Sequence, residues 1–236
     1  MEVIMEKKRF FTSRNIAFLA VLLALVIVLQ IWASAIPIGT TRISLTLIPI
    51  VLGAVLLGPA AGAFLGAAFG AVVLCVALAG GDAFTFVLLS DHPVLTAALC
   101  LIKGAAAGFV AGLLYKLIRR KNEYAAIITA SLAAPVVNTG LFILGALFMS
   151  DTLSANFVAD GTTVMYFLVI GCAGINFIIE FFVNAVASPA IYTVERVVEK
   201  AVRGRRPAKR REISEDKEEG SEAERNAKKE ASGTKI

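Results

Sequence analysis

Long apolar stretches are the feature that most constrains how this chain folds. Between residues 16 and 195, one run of Leu, Ile, Val, Ala and Phe follows another with few charges between them. A helix needs about 20 apolar residues to cross the ~30 Å hydrocarbon core of a bilayer, because each residue rises ~1.5 Å. We therefore predict an all-α polytopic membrane protein, a bundle of six transmembrane helices. The predicted segments are 16–36, 44–58, 60–80, 93–118, 124–149 and 163–195.

Charge is scarce in the first 200 residues and dense in the remainder. The first 200 residues contain 22 charged side chains, whereas the last 36 contain 19. A soluble domain would carry about 25% charged residues, so this distribution excludes a soluble globule. We predict three regions: a basic N-terminus (1–15), a six-helix membrane domain (16–200) and a charged, disordered tail (201–236).

Lys and Arg are divided unequally between the two ends of the predicted helices. Six crossings place sixteen of them on one side and only Arg42 on the other. The sixteen are Lys7, Lys8, Arg9, Arg14, Lys116, Arg119, Arg120, Lys121 and the eight within 196–211. Because basic residues accumulate in cytoplasmic loops, we predict that both termini are cytoplasmic. Topology and anionic lipid then account for the net charge of +5, and no nucleic-acid partner is expected.

The predicted topology depends on Gly58-Pro59, which alone separates the second and third segments. A glycine followed by proline is typical of a helix that ends and a helix that begins. If the pair is only a kink, five or seven crossings remain open. With six crossings, the outer connections are 37–43, 81–92 and 150–162.

Several polar residues fall where lipid would not tolerate them. Lys103, Asn138 and Asn176 lie near the middle of their segments, and Glu180 and Asn184 follow Asn176 on one helical face. A charge at the bilayer centre costs about 2.5–3.5 kcal/mol on insertion scales, so such groups face protein or a wet cavity. Two interpretations remain open: a buried Lys103–Glu180 ion pair with amides holding helices together, or an outward-opening polar site. We adopt the second as our hypothesis, with Lys103 or Asn176 contacting the solute.

The outer segment 36–44 contains glycine, hydroxyl groups and Arg42, the one basic residue predicted outside. Such a segment is suited to closing over a polar or anionic solute, with the guanidinium as its anchor. A solvated connector whose Arg42 meets lipid headgroups explains the pattern equally well.

Small residues recur at four-residue spacing on three segments. In lipid, small side chains let two helix backbones approach closely. Both glycine rows are expected to pack inside the bundle, whereas the alanine row on the first segment is the better candidate for docking a separate membrane protein. The rows are Ala20/Ala24, Gly62/Gly66/Gly70 and Gly104/Gly108/Gly112.

The sequence lacks the groups that most enzymes require. It contains no phosphate-binding Gly-x-x-x-x-Gly-Lys-Ser/Thr loop, only one histidine (His92), and no cluster with metal-ligand spacing. We predict no catalytic residue, no metal and no cofactor. The alternatives are a solitary secondary carrier or facilitator for a small polar solute and, less favoured, a polytopic lipid-modifying enzyme.

Four stretches resemble a known transporter family. The run from Ile43 to Gly53 and the run from Leu56 to Gly62 resemble the second and third helices of substrate-binding (S) components of energy-coupling factor (ECF) vitamin transporters. Ala134-Pro135-Val136-Val137-Asn138-Thr139-Gly140 is similar to the same group, as is Ala20-x-x-x-Ala24.

The resemblance implies a six-helix bundle that binds a vitamin or related small molecule in an outward-facing pocket below the first outer loop. It also implies a transmembrane coupling subunit and two ATPase subunits as partners, with Ala20 and Ala24 facing the coupling subunit. Arg42, Lys103, Asn138, Asn176 and Glu180 are the predicted substrate-binding residues.

Overall fold

The computed structural model describes residues 13–34, 37–38, 41–42 and 45–204, with side chains over 13–33, 45–174 and 176–201. The helices and strands, in chain order, are α1 (Ser13–Ser34), β1 (Pro37–Ile38), β2 (Thr41–Arg42), α2 (Leu47–Leu57), α3 (Pro59–Leu78), α4 (Ala83–Asp91), α5 (Pro93–Ile118), α6 (Glu123–Leu147), α7 (Ser150–Asn156), α8 (Val164–Tyr166), a π-helix (Phe167–Gly174) and α9 (Ile175–Gly204). The fold is therefore all-α apart from one two-residue antiparallel pairing, β1 with β2.

The chain divides into two units, residues 1–195 and 196–236. The first unit contains the helical bundle described below. In the second unit the structure describes only the end of α9. The predicted basic N-terminus and charged tail lie almost wholly outside the described residues.

Five helices in the described part of the chain are long and apolar enough to cross a membrane. They are Ser13–Ala33, Pro59–Leu78, Pro93–Ile118, Glu123–Leu147 and the continuous stretch Val164–Ala201, called the last span below. The chain is thus an integral membrane protein. The predicted segment 44–58 is helical over Leu47–Leu57 only, and 11 residues rise ~16 Å, about half of the hydrocarbon core.

Gly58-Pro59 separates two helices, as predicted. Gly58 has φ 103° and ψ 175°, a backbone conformation that essentially only glycine adopts, and Pro59 occupies the first turn of α3. A simple kink is excluded, because the chain reverses here. α2 lies antiparallel to α3, with Gly53 beside Leu65 and Ala54 beside Gly62.

α1 also lies antiparallel to α2. Near the end of α1, the Thr46 hydroxyl donates a hydrogen bond of 3.0 Å to Gln30 Oε1. Two turns earlier in α1, Leu22 packs close to Gly53. α1 and α3 are consequently parallel, because each is antiparallel to α2.

The two glycine rows pack against each other, which confirms their predicted place inside the bundle. A Cβ added at Gly66 would overlap the backbone carbonyl of Gly104, and one at Gly62 would overlap that of Gly108. Backbone therefore touches backbone along an antiparallel α3–α5 pair. Close approach of this kind provides the van der Waals contact that holds helices together in lipid.

The connections 81–92 and 150–162 contain the short helices α4 and α7. Their apolar faces, with the top of α6 and the π-helix, form a cluster that includes Phe84, Leu88, Met149 and Leu153. A hydrogen bond of 2.9 Å from the Thr152 hydroxyl to Asp91 Oδ2 joins the two short helices. This end of the bundle is closed by packed helices rather than by solvated loops.

The opposite end is held together by α5, α6 and the last span. The Tyr115 hydroxyl donates a hydrogen bond of 3.1 Å to the buried Glu195. The rings of Tyr124 and Tyr192 meet edge to face at 5.3 Å. These contacts fix α6 and α9 as antiparallel neighbours.

Candidate functional site

A row of polar side chains follows the buried face of α9. Glu180, Asn184, Ser188 and Glu195 are all less than a tenth exposed, and the partly buried Asn176 begins the row. Spacings of four residues up to Ser188, and of seven from there to Glu195, keep the row on one face, and Ile191 of the same face belongs to the core formed with α5 and α6. The row therefore faces the bundle, not lipid.

Glu180 connects the two asparagines of this row. Asn176 Nδ2 donates a hydrogen bond of 3.2 Å to Glu180 Oε1, and Asn184 Nδ2 donates one of 2.8 Å to the Glu180 main-chain carbonyl. The i, i+4 helical spacing that the sequence predicted brings these three residues together. Asn184, which is fully buried, bonds within its own helix.

Lys103 lies on α5, ten residues from Pro93, and is half-buried. Its ammonium group lies over the ring of Phe142, with Nζ 4.9 Å from the ring centroid. A cation over an aromatic face is stabilised by the ring quadrupole. This contact also defines the register between α5 and α6. Leu99, one turn closer to Pro93, packs beside Gly145 in the same register.

Asn138 lies at the centre of the buried face of α6 and is 6% exposed. Its Oδ1 is buried and has no hydrogen-bond partner. Ser131, two turns along the same face, is fully buried, and its Oγ also has no hydrogen-bond partner. A buried acceptor without a donor costs free energy, which makes this face of α6 a candidate for contact with a polar solute.

Asn138 and Asn176 lie at the same depth. A cleft of about 320 Å³ separates α6 from the last span. Its walls come from stretches on either side of the two asparagines: Val136, Thr139, Gly140, Ile143, Val169, Ala173, Gly174, Phe177 and Ile178. Because the helices are antiparallel with equal rise per residue, the same register places Ser131 at the depth of Asn184.

The π-helix Phe167–Gly174 lies directly before Asn176. Wide turns of this kind are rare and occur frequently at functional sites, because the i→i+5 pattern re-aims the side chains that follow. Here the π-helix connects the apolar cluster that contains Phe84 to the polar row of α9. This turn was not predicted from the sequence, although Gly171 and Gly174 within it are unfavourable in a regular helix.

Aromatic residues beside Lys103 were also missed by sequence reasoning. Phe84 lies 4.9 Å from Phe157 and 6.0 Å from Phe142, measured between ring centroids. Phe167 stacks on Phe157 at 6.0 Å. The available signal was the apolar character of 81–92 and 150–162, which is unusual for solvated loops.

The predicted residue Arg42 belongs to β2, where its backbone pairs with Pro37. Its side chain lies outside the described residues. Of the rest of the predicted set, Lys103 meets α6 at Phe142, one turn from Asn138, and Asn176 hydrogen-bonds Glu180 one turn along α9.

Ala20 and Ala24 lie on an exposed face of α1. The surrounding exposed residues of α1 are apolar, among them Val21, Val28 and Ile31. The glycine rows of α3 and α5 pack against each other. Of the three predicted rows of small residues, the Ala20/Ala24 row is therefore the one that remains accessible.

These features define a class: an integral membrane helical bundle with a row of buried polar side chains on its last helix and small residues exposed on its first. A family model described as ECF transporter, substrate-specific component, matches residues 14–192. The chain belongs to this family of ECF transporter substrate-specific components. Neither a search of curated proteins nor a search of solved structures gives a significant match.

Membership makes the chain a subunit of a transporter rather than a member of an enzyme family. It implies a small-molecule substrate and a partnership with ECF coupling and ATPase subunits.

Proposed function

We propose that this chain is the substrate-binding subunit of an ATP-driven ECF importer. It captures a vitamin or related small molecule from outside and delivers it through a membrane coupling subunit and two partner ATPases. The family match over 14–192 is the observation that carries the proposal. Transport then requires no catalytic group in this chain, only different solute affinities in its outward and inward states.

The proposed topology has six crossings and both termini in the cytoplasm. Two features support it. α1 and α3 are parallel, so the chain returns across the bundle between them, through the connection that contains α2. The α5–α6 turn and the start of α1 then lie at the same end, where Lys and Arg are concentrated.

The proposed substrate site consists of Lys103, Asn138, Asn176 and Glu180, with Arg42 in the connection that precedes α2. The burial of Asn138 and Glu180, the half-buried ammonium of Lys103 and the shared depth of Asn138 and Asn176 support this assignment. Polar groups at this depth are expensive in lipid and are typically functional.

The proposed docking face for the coupling subunit is the exposed Ala20/Ala24 row. Two helices in lipid associate through close contact of small residues, and this row offers such contact without rearrangement of the bundle.

The first prediction concerns solute retention. We expect the purified full chain to retain a small molecule that heat releases and mass spectrometry identifies. The double variant Lys103→Ala/Asn176→Ala should bind that compound at least ~10-fold more weakly, since each lost polar contact to a buried partner costs about 1–3 kcal/mol. Leu144→Ala, on an exposed face of α6, is the control. Unchanged affinity in the double variant would remove both residues from the site.

A further inference from the structure

The orientation of two amides on α9 is fixed by their partners. Asn184 Nδ2 donates to a main-chain carbonyl and Asn176 Nδ2 donates to a carboxylate, and both partners accept hydrogen bonds. Neither amide can rotate by 180° without placing oxygen against oxygen. The Oδ1 atoms of both residues must therefore point away from Glu180.

The amide oxygens that remain are acceptors without donors. Oδ1 of Asn176, of Asn184 and of Asn138 is buried without a hydrogen-bond partner. Asn138 and Asn184 are also more than nine-tenths buried as whole residues. With the Glu180 carboxyl group between Asn176 and Asn184 along α9, this part of the bundle is rich in hydrogen-bond acceptors.

One helical turn closer to α4 and α7, the bundle offers a hydrogen-bond donor instead of acceptors. Lys103 meets α6 at Phe142, four residues beyond Asn138, which corresponds to ~6 Å along the helix axis. An ammonium group offers only donors. A solute that spans the two depths therefore meets a donor at one end and acceptors at the other.

We propose that the solute is a bifunctional polar molecule bound in one orientation. Its hydrogen-bond donors, N–H or O–H groups, contact Oδ1 of Asn138 and Asn176. An anionic or carbonyl group ~6 Å away contacts Lys103. This inference rests on the proposed function and adds the chemical class of the substrate and its direction in the site.

Asn138 provides the sharpest test, because its Oδ1 accepts no hydrogen bond from the described residues. Asn138→Asp keeps acceptor oxygens at this position, whereas Asn138→Leu replaces them with methyl groups on a side chain that branches at the same carbon. The probe is the compound released by heat from the wild-type chain, identified and added back in pure form to the full chain in lipid nanodiscs. Leu144→Ala, on the exposed face of α6 and outside the cleft, is the control.

We expect Asn138→Leu to weaken binding about 10-fold or more and Asn138→Asp to stay within about threefold of wild type. Leu144→Ala should match wild type. Equal losses in Asn138→Asp and Asn138→Leu would show that the amide nitrogen is the contacting group and would overturn the proposal. Measuring Asn138→Asp and Asn138→Leu again in a Glu180→Gln background removes repulsion between the introduced carboxylate and Glu180 as a cause of such a loss.

The compound itself supplies the second criterion. A released solute without N–H or O–H donors, or with no anionic or carbonyl group, would overturn the proposed class while leaving the transport function intact. Recovery of no solute, together with no uptake in the presence of the partner subunits, would instead contradict the proposed function. Thermal unfolding of each variant establishes that it is folded.

Discussion

At the scale of single residues, position matters more than residue type. Nineteen glycines occur in the chain, yet their surroundings differ sharply. A Cβ at Gly66 would overlap the Gly104 carbonyl, whereas one at Gly140 has no heavy atom within 4 Å. The same substitution should therefore have opposite effects at these two sites.

We predict that Gly66→Ala destabilises the bundle by roughly 1–3 kcal/mol, because the α3 and α5 backbones must separate. The matched control Gly140→Ala should be neutral or stabilising by up to ~1 kcal/mol, since alanine is the better helix former. Thermal unfolding of the purified chain measures both. A Gly66→Ala variant as stable as wild type would contradict the close α3–α5 contact.

The sequence predicted which polar residues lie deep in the bundle but not all of their contacts. Spacing alone placed Asn176, Glu180 and Asn184 on one face. The contact of Lys103 with Phe142 was not predictable, because it depends on the α5–α6 register, which long-range packing sets. Whether Lys103 pairs with Glu180 or contacts a solute depends on where these groups lie in three dimensions, which helical spacing alone does not determine.

At the scale of helices, long apolar segments were predictable and short ones were not. The segment 93–118 matches α5 at both ends, because Pro93 marks its start and Arg119 follows its last apolar turn. α4 and α7 were predicted as loops. Helices of 9 and 7 residues carry too little periodicity to reveal themselves, and they gain stability by packing their apolar side chains on the outer cluster.

The contact between α5 and α9 yields a prediction at this scale. Tyr115→Phe removes the hydroxyl that donates to Glu195 and should destabilise the chain by about 1–3 kcal/mol, because a buried carboxylate loses a donor. Tyr124→Phe, whose ring is 44% exposed, should change stability by less than about 0.5 kcal/mol. Equal unfolding temperatures for the two variants would show that the Tyr115 hydroxyl does not stabilise this contact.

At the scale of the whole molecule, the topology can be tested by labelling. Single cysteines at the exposed positions Ser13, Asn122 and Asp160, with the exposed Cys75 replaced by alanine, report which side each occupies. We expect a membrane-impermeant maleimide to label Asp160→Cys in intact cells, and the other two only after permeabilisation. Labelling of Ser13→Cys but not Asn122→Cys in intact cells would contradict six crossings and favour five.

The division of labour between this chain and its partners is the central claim, and reconstituted uptake tests it most directly. The full chain is placed in liposomes with or without the coupling subunit and two ATPases. Accumulation of the released compound is then measured with and without ATP, which is supplied on the side of the membrane where the ATPases lie. We predict that the chain alone binds the compound without accumulating it. We predict accumulation only with partners and ATP, and its loss in Ala20→Trp/Ala24→Trp despite unchanged binding. Full accumulation by the chain alone, without ATP, would contradict the account and identify a solitary carrier.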